Sequence, residues 1–155
     1  MRYAIHALAL ALCLVCGIAS TEAAMGNAQT ISRSETRSPV KGSDKIFTGK
    51  VMIEPLFAET PGTAFGGAYL TFEPGARTFW HSHPYGQHLI VASGAGRTGY
   101  RDGAVEEIRP GDVIWCPPGV IHWDGASPDT EMTHLDITGI RDGKNHVWLE
   151  EVTEE

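Results

Sequence analysis

The chain has 155 residues and a formal net charge of −7, with 19 acidic against 12 basic side chains, and its 18 glycines and 9 prolines are spread among short apolar runs. This length supports one domain with a single core. The lack of a basic stripe argues against nucleic acid and anionic membrane surfaces as partners, and the scattered turn residues favour an all-β barrel or sandwich.

Taken from its start, the chain opens with Arg2, an apolar run over residues 7–20, and small residues at Thr21, Ala23 and Ala24. Charged, apolar and small, in that order, is the pattern of a secretory signal, and the run is too short to span a bilayer comfortably. Residues 1–23 are therefore read as a signal peptide cleaved after Ala23, with an uncleaved anchor as the alternative. A lipoprotein signal is disfavoured because Leu12 and Val15, not small residues, precede Cys13 and Cys16. The expectation is a protein secreted across the inner membrane, periplasmic or extracellular, with no membrane attachment after processing. The signal carries one base, Arg2, and one acid, Glu22, so the mature charge stays at −7. Of the three cysteines only Cys116 remains, which precludes an internal disulfide. Flanked by Trp115 and Pro117, it reads as a small buried hydrophobe.

Residues 24–44 are polar and mixed, and read as a linker, either with an early strand near Ile31 to Arg33 or as a disordered tail. The folded domain is expected over 45–155. Residues 45–53 and 54–57 begin it, followed by a break and a loop at Thr60-Pro61-Gly62-Thr63. A strand over 68–72 closes on Glu73-Pro74-Gly75, and 76–83 and 88–93 form a strand and its return. Residues 96–100 and 105–108 form a hairpin about Arg101-Asp102-Gly103, an Asp-Gly turn. Strands follow at 113–116 and 131–138, then a turn at Arg141-Asp142-Gly143, and a terminal strand or short helix over 146–149. Strands recur about every ten residues, and no long amphipathic helix is visible.

The chemistry concentrates in residues 75–94, GARTFWHSHPYGQHLIVASG. His81 and His83 are one residue apart, so on an extended strand both imidazoles take the same face. Pro84 and Gly86 mark a turn, and Gln87 opens the returning strand. His122 ends a second glycine- and proline-bearing block over 111–122. The arrangement reads as a metal site in a small barrel, with two unrelated surface strands as the alternative. Imidazole nitrogens and an amide oxygen suit a borderline divalent ion, and a lone Cys116 excludes a thiolate zinc site. Four neutral donors leave the ion's charge uncompensated, which acidifies a bound water and strengthens the hold on an anion.

Parity extends the pocket. If His122 points inward, Asp124 does too, unless it is a surface carboxylate at a loop start. Met132, His134 and Asp136 share a face opposite Leu135 and Ile137. Phe79 is expected inward with His81 and His83, and Thr78 and Trp80 outward unless a bulge intervenes. Leu89 and Val91 share the Gln87 face, His88 should point away, and His146 should lie at the surface. A partly apolar pocket beside a Lewis acid suits a small organic substrate.

The two blocks, Gly75, His81, His83, Gln87, Gly94 and Gly111, Pro117, Gly119, His122, resemble the paired motifs of the cupin family, with Gln87 where an acid is usual and Ala126 where Asn is usual. The likeness extends through Phe47-Thr48-Gly49, 72–78, 106–112, Met132-Thr133-His134 and Asp142-Gly143-Lys144. It implies an all-β double-stranded β-helix, or jelly-roll, barrel with a metal near its centre. The H-x-H-P-x-G-Q pattern narrows it to a subgroup that includes carboxymuconolactone decarboxylase-associated cupins and bacterial manganese-dependent cupin hydroxynitrile lyases. By that resemblance His81, His83, Gln87 and His122 hold a divalent ion, manganese by preference, with iron, nickel, zinc and copper also compatible. His134 is implied as a general acid/base, a hydrogen-bonded structural histidine being its alternative. Asp124 stands where the lyases carry histidine in H-W-H-G, which leaves the activity open; a carboxylate there can accept a proton or orient a metal-bound water. Three functions follow: a lyase cleaving a carbon–carbon bond in a small molecule, a metal-dependent oxygenase, or a non-catalytic metal or small-ligand binding barrel. The family's habit of edge-strand association implies a homo-oligomer, dimer or tetramer.

Overall fold

The computed structural model describes residues 29–153. The segment read as a signal peptide, 1–23, and its expected cleavage point lie outside the described residues. The strands are β1 (Val40–Lys41), β2 (Phe47–Thr48), β3 (Val51–Phe57), β4 (Phe65–Phe72), β5 (Arg77–Thr78), β6 (His81–Ser82), β7 (Gln87–Gly94), β8 (Gly96–Tyr100), β9 (Val105–Ile108), β10 (Val113–Cys116), β11 (His122–Ala126), β12 (Met132–Gly139) and β13 (Val147–Trp148). One sheet runs β1-β3-β4-β12-β7-β10 and the other β13-β6-β11-β5-β2, with β8 joining β11 to β9. Neighbours pair antiparallel. The expected all-β jelly-roll barrel is what forms, and among the described residues the only helical element is a 3₁₀ turn at Ser34–Thr36.

Two local expectations are corrected. No strand forms at 31–33; the first strand is Val40–Lys41, inside the segment read as linker, paired with Ile53 and Met52. Residues 76–83 do not form one strand either. The backbone leaves the sheet at Phe79 and Trp80, whose N–H groups donate to Ile46 and Glu150 carbonyls at 2.9 and 3.0 Å. This interruption resets the alternation. Thr78 is buried with His81 and His83, while Phe79 is only half-buried and its inward placement fails. The 146–149 segment resolves as a strand, β13, paired with β6.

The register of β12 with β4 and β7 explains where core and pocket sit. Met132 lies opposite Phe72 and Gly94, His134 opposite Leu70 and Val91, Asp136 opposite Ala68 and Leu89, and Thr138 opposite Gly66 and Gln87. The inward face therefore grades along one direction from apolar to polar. At the apolar end Phe72, Met132, Val51, Val91 and Phe47 form the packed core. Burying a side chain the size of Phe72 or Met132 contributes about 1.5–3 kcal/mol.

Candidate metal centre

The glycine at 86 builds the hairpin that carries the first three candidate ligands. Its φ is +81°, and a Cβ there would come within 2.4 Å of the Trp115 ring and 2.7 Å of the Cys116 carbonyl. Only glycine fits both the left-handed backbone and the space. The turn is tied to the second block by Gly119, whose N–H donates to the His83 carbonyl at 2.9 Å. His122 of β11 pairs directly with His81 of β6. The spacing read from the sequence thus becomes one cluster, in which ligand atoms of His81, His83 and His122 lie within 4.8 Å of one another.

The three rings are oriented alike. His81 Nδ1 donates to the Phe79 carbonyl at 2.9 Å, His83 Nδ1 to Asn145 at 2.7 Å, and His122 Nδ1 to Val120 at 3.2 Å. A carbonyl has no proton to give, so each Nδ1 carries the ring's hydrogen and each Nε2 keeps its lone pair. Fixing the tautomer through the far nitrogen is how metal-binding histidines are held. Gln87 Oε1 lies 3.2 Å from His122 Nε2, adding a fourth lone-pair donor. His83 Nε2 is buried without any hydrogen-bond partner among the described residues. Converging lone pairs and an orphaned buried nitrogen fit a divalent cation. Burial pushes the His81 imidazole down to about 3, helped by the neighbouring His122 imidazole, and His83 down to about 4; His122 is lowered by burial as well. All three are thus unprotonated at neutral pH, as ligands must be.

Beside the cluster lies a buried acid–imidazole pair. His134 Nε2 donates to Asp124 Oδ1 at 3.0 Å, and the other carboxylate oxygen is 3.9 Å from His81 Nε2. Asp124 also receives order from Thr78, whose hydroxyl accepts its backbone N–H at 3.1 Å. Burial alone would raise the Asp124 carboxyl, but the hydrogen bond from His134 and the neighbouring imidazoles of His81 and His122 hold it well below the usual range. His134 stacks at a tilt on Phe72, 5.3 Å between ring centres, and its Nδ1 is buried and unpartnered. Asp124 is therefore inside the barrel, not on a surface loop.

His81, Gln87, Asp124 and His134 line a cavity of about 250 Å³, together with the apolar side chains of Ile46, Phe47, Ile53 and Leu70. A wider groove of about 590 Å³ opens elsewhere, between Arg77, Arg97, Trp80 and Trp123, and holds none of the cluster. His88 points outward onto Trp115 as expected. Cys116 is buried, and burial pushes its thiol up to about 12, so it is no nucleophile.

Sequence reasoning misplaced His146 and gave no role to Asp136 or Thr138. His146, expected at the surface, lines the pocket: it stacks on Trp148 and lies 4.6 Å from the His83 ring, and burial pushes it down to about 3. β13 carries it there by pairing with β6, a non-local contact with no local signal. Asp136 and Thr138 also face inward, and burial pushes the Asp136 carboxyl up to about 6. Their alternation with His134 was the available signal.

Comparison with known proteins follows the same lines. Residues 68–138 match the cupin domain family. The (R)-mandelonitrile lyase of Granulicella tundricola is 52% identical over 125 residues, covering 81% of this chain and 95% of that protein. A cupin-like protein of Thermotoga maritima is 43% identical with a TM-score of 0.70, covering 74% of this chain and 86% of its own. A cupin-2 domain of Rhodospirillum rubrum, at 19% identity, 76% and 79% coverage and a TM-score of 0.62, shares the fold.

Proposed function

This chain belongs to the cupin family, and on that premise we propose that it is a metal-dependent lyase that splits a small cyanohydrin-like molecule into a carbonyl compound and hydrogen cyanide. The observation that carries the proposal is the juxtaposition of two buried devices: three clustered imidazoles with free Nε2 lone pairs, of which His81 lines the cavity, and the Asp124–His134 pair that lines it beside them. The relative named as a mandelonitrile lyase supports the choice of reaction. His81, His83, His122 and Gln87 would hold the ion, proposed as manganese, which when bound supplies positive charge to stabilise negative charge developing on oxygen.

The chain's own residues supply the rest. The wall of Ile46, Phe47, Ile53 and Leu70 takes the organic group and excludes water from it. Asp124 holds the Nε2–H of His134, which leaves Nδ1 as the nitrogen that accepts the substrate's hydroxyl proton. As that O–H bond breaks, its electron pair becomes the second bond of the carbonyl. The carbon–carbon bond breaks, cyanide leaves with the bonding pair, and the proton on His134 passes to it. The second device is what favours a lyase over a barrel that only binds metal.

We also propose that the mature protein lies outside the inner membrane, supported by the charged, apolar, small order of residues 1–24. The protein is proposed to be a homo-oligomer, supported by β10, which pairs only with β7 among the described residues and exposes Val113 and Trp115. The test is elemental analysis of the mature protein beside cyanide release from mandelonitrile, for wild type, His122→Ala and His134→Ala. Wild type should hold about one ion per chain, His122→Ala should lose it, and His134→Ala should keep the ion and lose turnover. A wild type that stays metal-free after incubation with manganese, or one that releases cyanide no faster than His134→Ala, overturns the proposal.

A further inference from the structure

A glutamine side chain ends in an oxygen and an NH₂ of nearly equal size, and only the oxygen can face a cation. Gln87 must therefore be held the right way round if it is to act as a ligand, and a half-turn of its amide would aim two hydrogens at the ion. Its amide oxygen lies 3.2 Å from His122 Nε2, and its NH₂ lies 3.4 Å from the Thr138 hydroxyl. That hydroxyl has a single proton, donated to the Asp136 carboxylate. With its proton committed, Thr138 can only accept from its other neighbour, and the neighbour must be the NH₂ and not the oxygen.

The backbone sets this up. Thr138 of β12 stands directly opposite Gln87 of β7 in the sheet register, and Asp136 is the next inward residue along β12. Gln87, Thr138 and Asp136 are 3%, 3% and 7% exposed, so water does not compete for these bonds. We propose that Asp136 and Thr138 are positioning residues that lock the Gln87 amide with its oxygen toward the three imidazole nitrogens. The carboxylate fixes the hydroxyl's proton, the hydroxyl fixes the amide, and the site gains a neutral oxygen donor in place of a charged one. The lock rests on the metal-site reading for its purpose but not for its geometry.

Two measurements separate these. In the metal-free wild type, nuclear Overhauser contacts from the Gln87 side-chain NH₂ should reach the Thr138 methyl and not the His122 ring. Manganese affinity should then fall about ten- to a hundredfold in Thr138→Val, which keeps the shape and loses the hydroxyl, and stay near wild type in Thr138→Ser. Thermal melts of each variant report folding. NH₂ contacts to the His122 ring, or a folded Thr138→Val that binds manganese as tightly as wild type, overturn the lock. If the wild type shows the expected amide contacts yet binds no ion, the lock stands and the metal reading falls.

Discussion

Asp124 is a carboxylate at 1% exposure that stays ionised because His134 donates to it and two ligand histidines lie near. Its contribution is charge in the right place, not bulk. Asp124→Asn keeps the shape and an acceptor oxygen for His134 Nε2–H, but removes the negative charge that favours a proton on that ring. Cyanide release should fall about 10²–10⁴-fold while metal content stays near wild type, since Asp124 is outside the three-histidine group. Parallel turnover assays and elemental analysis check this; loss of the ion together with activity would instead make Asp124 part of the metal's support. The inward positions of Asp124 and His134 were legible because alternation along a strand needs no tertiary information. Asp136 had the same signal, but its meaning depends on Thr138 standing opposite Gln87, a register between strands far apart in the chain. His146 had none, because its position is set by Val147 pairing with Ser82 and Trp148 with His81.

At the scale of elements, the hairpin between β6 and β7 is the part on which the site depends most. Gly86→Ala forces a non-glycine residue to φ +81° and drives its methyl into the Trp115 ring and the Cys116 carbonyl. Backbone strain of this kind costs about 1–3 kcal/mol, and relief requires moving the turn that holds His83 and Gln87. The variant should melt earlier and bind manganese more weakly, measured by urea unfolding and by titration with the ion. A variant with wild-type affinity would mean the hairpin can shift without moving its ligands. The turn was readable from Pro84 and Gly86 alone, and so was the β8–β9 hairpin, where Asp102 takes φ 62°. The break at Phe79 and Trp80 was not. Their N–H groups are claimed by Ile46 and Glu150, and two distant segments competing for one strand leave no mark on its local sequence.

For the whole molecule, the barrel keeps several titratable groups in states they would not hold in an unfolded chain, and metal-free stability must follow pH accordingly. His81, His83 and His146 are pushed down to about 3, 4 and 3, whereas unfolded histidines take protons near 6.5. Between those values the unfolded state binds more protons, so their share of stability is whole above about pH 6.5 and is lost as pH falls toward 4. Asp136 acts in the opposite sense. Raised to about 6, it binds a proton in the fold that the unfolded chain releases near 4, so its share is present in acid and lost as pH rises through 6. Each group changes stability by about 1.4 kcal/mol per pH unit within its window, and three histidines outweigh one carboxyl. The metal-free protein should therefore melt progressively earlier from pH 7 to pH 4.5. Loading with manganese should raise the melting temperature most at neutral pH and least in acid, because protons and the ion compete for the same Nε2 lone pairs. Calorimetry across that range, with and without the ion, reads both effects. A flat metal-free profile would mean that the histidines are hydrated rather than held neutral. A pH-independent shift on loading would mean that the ion binds somewhere other than the three imidazoles.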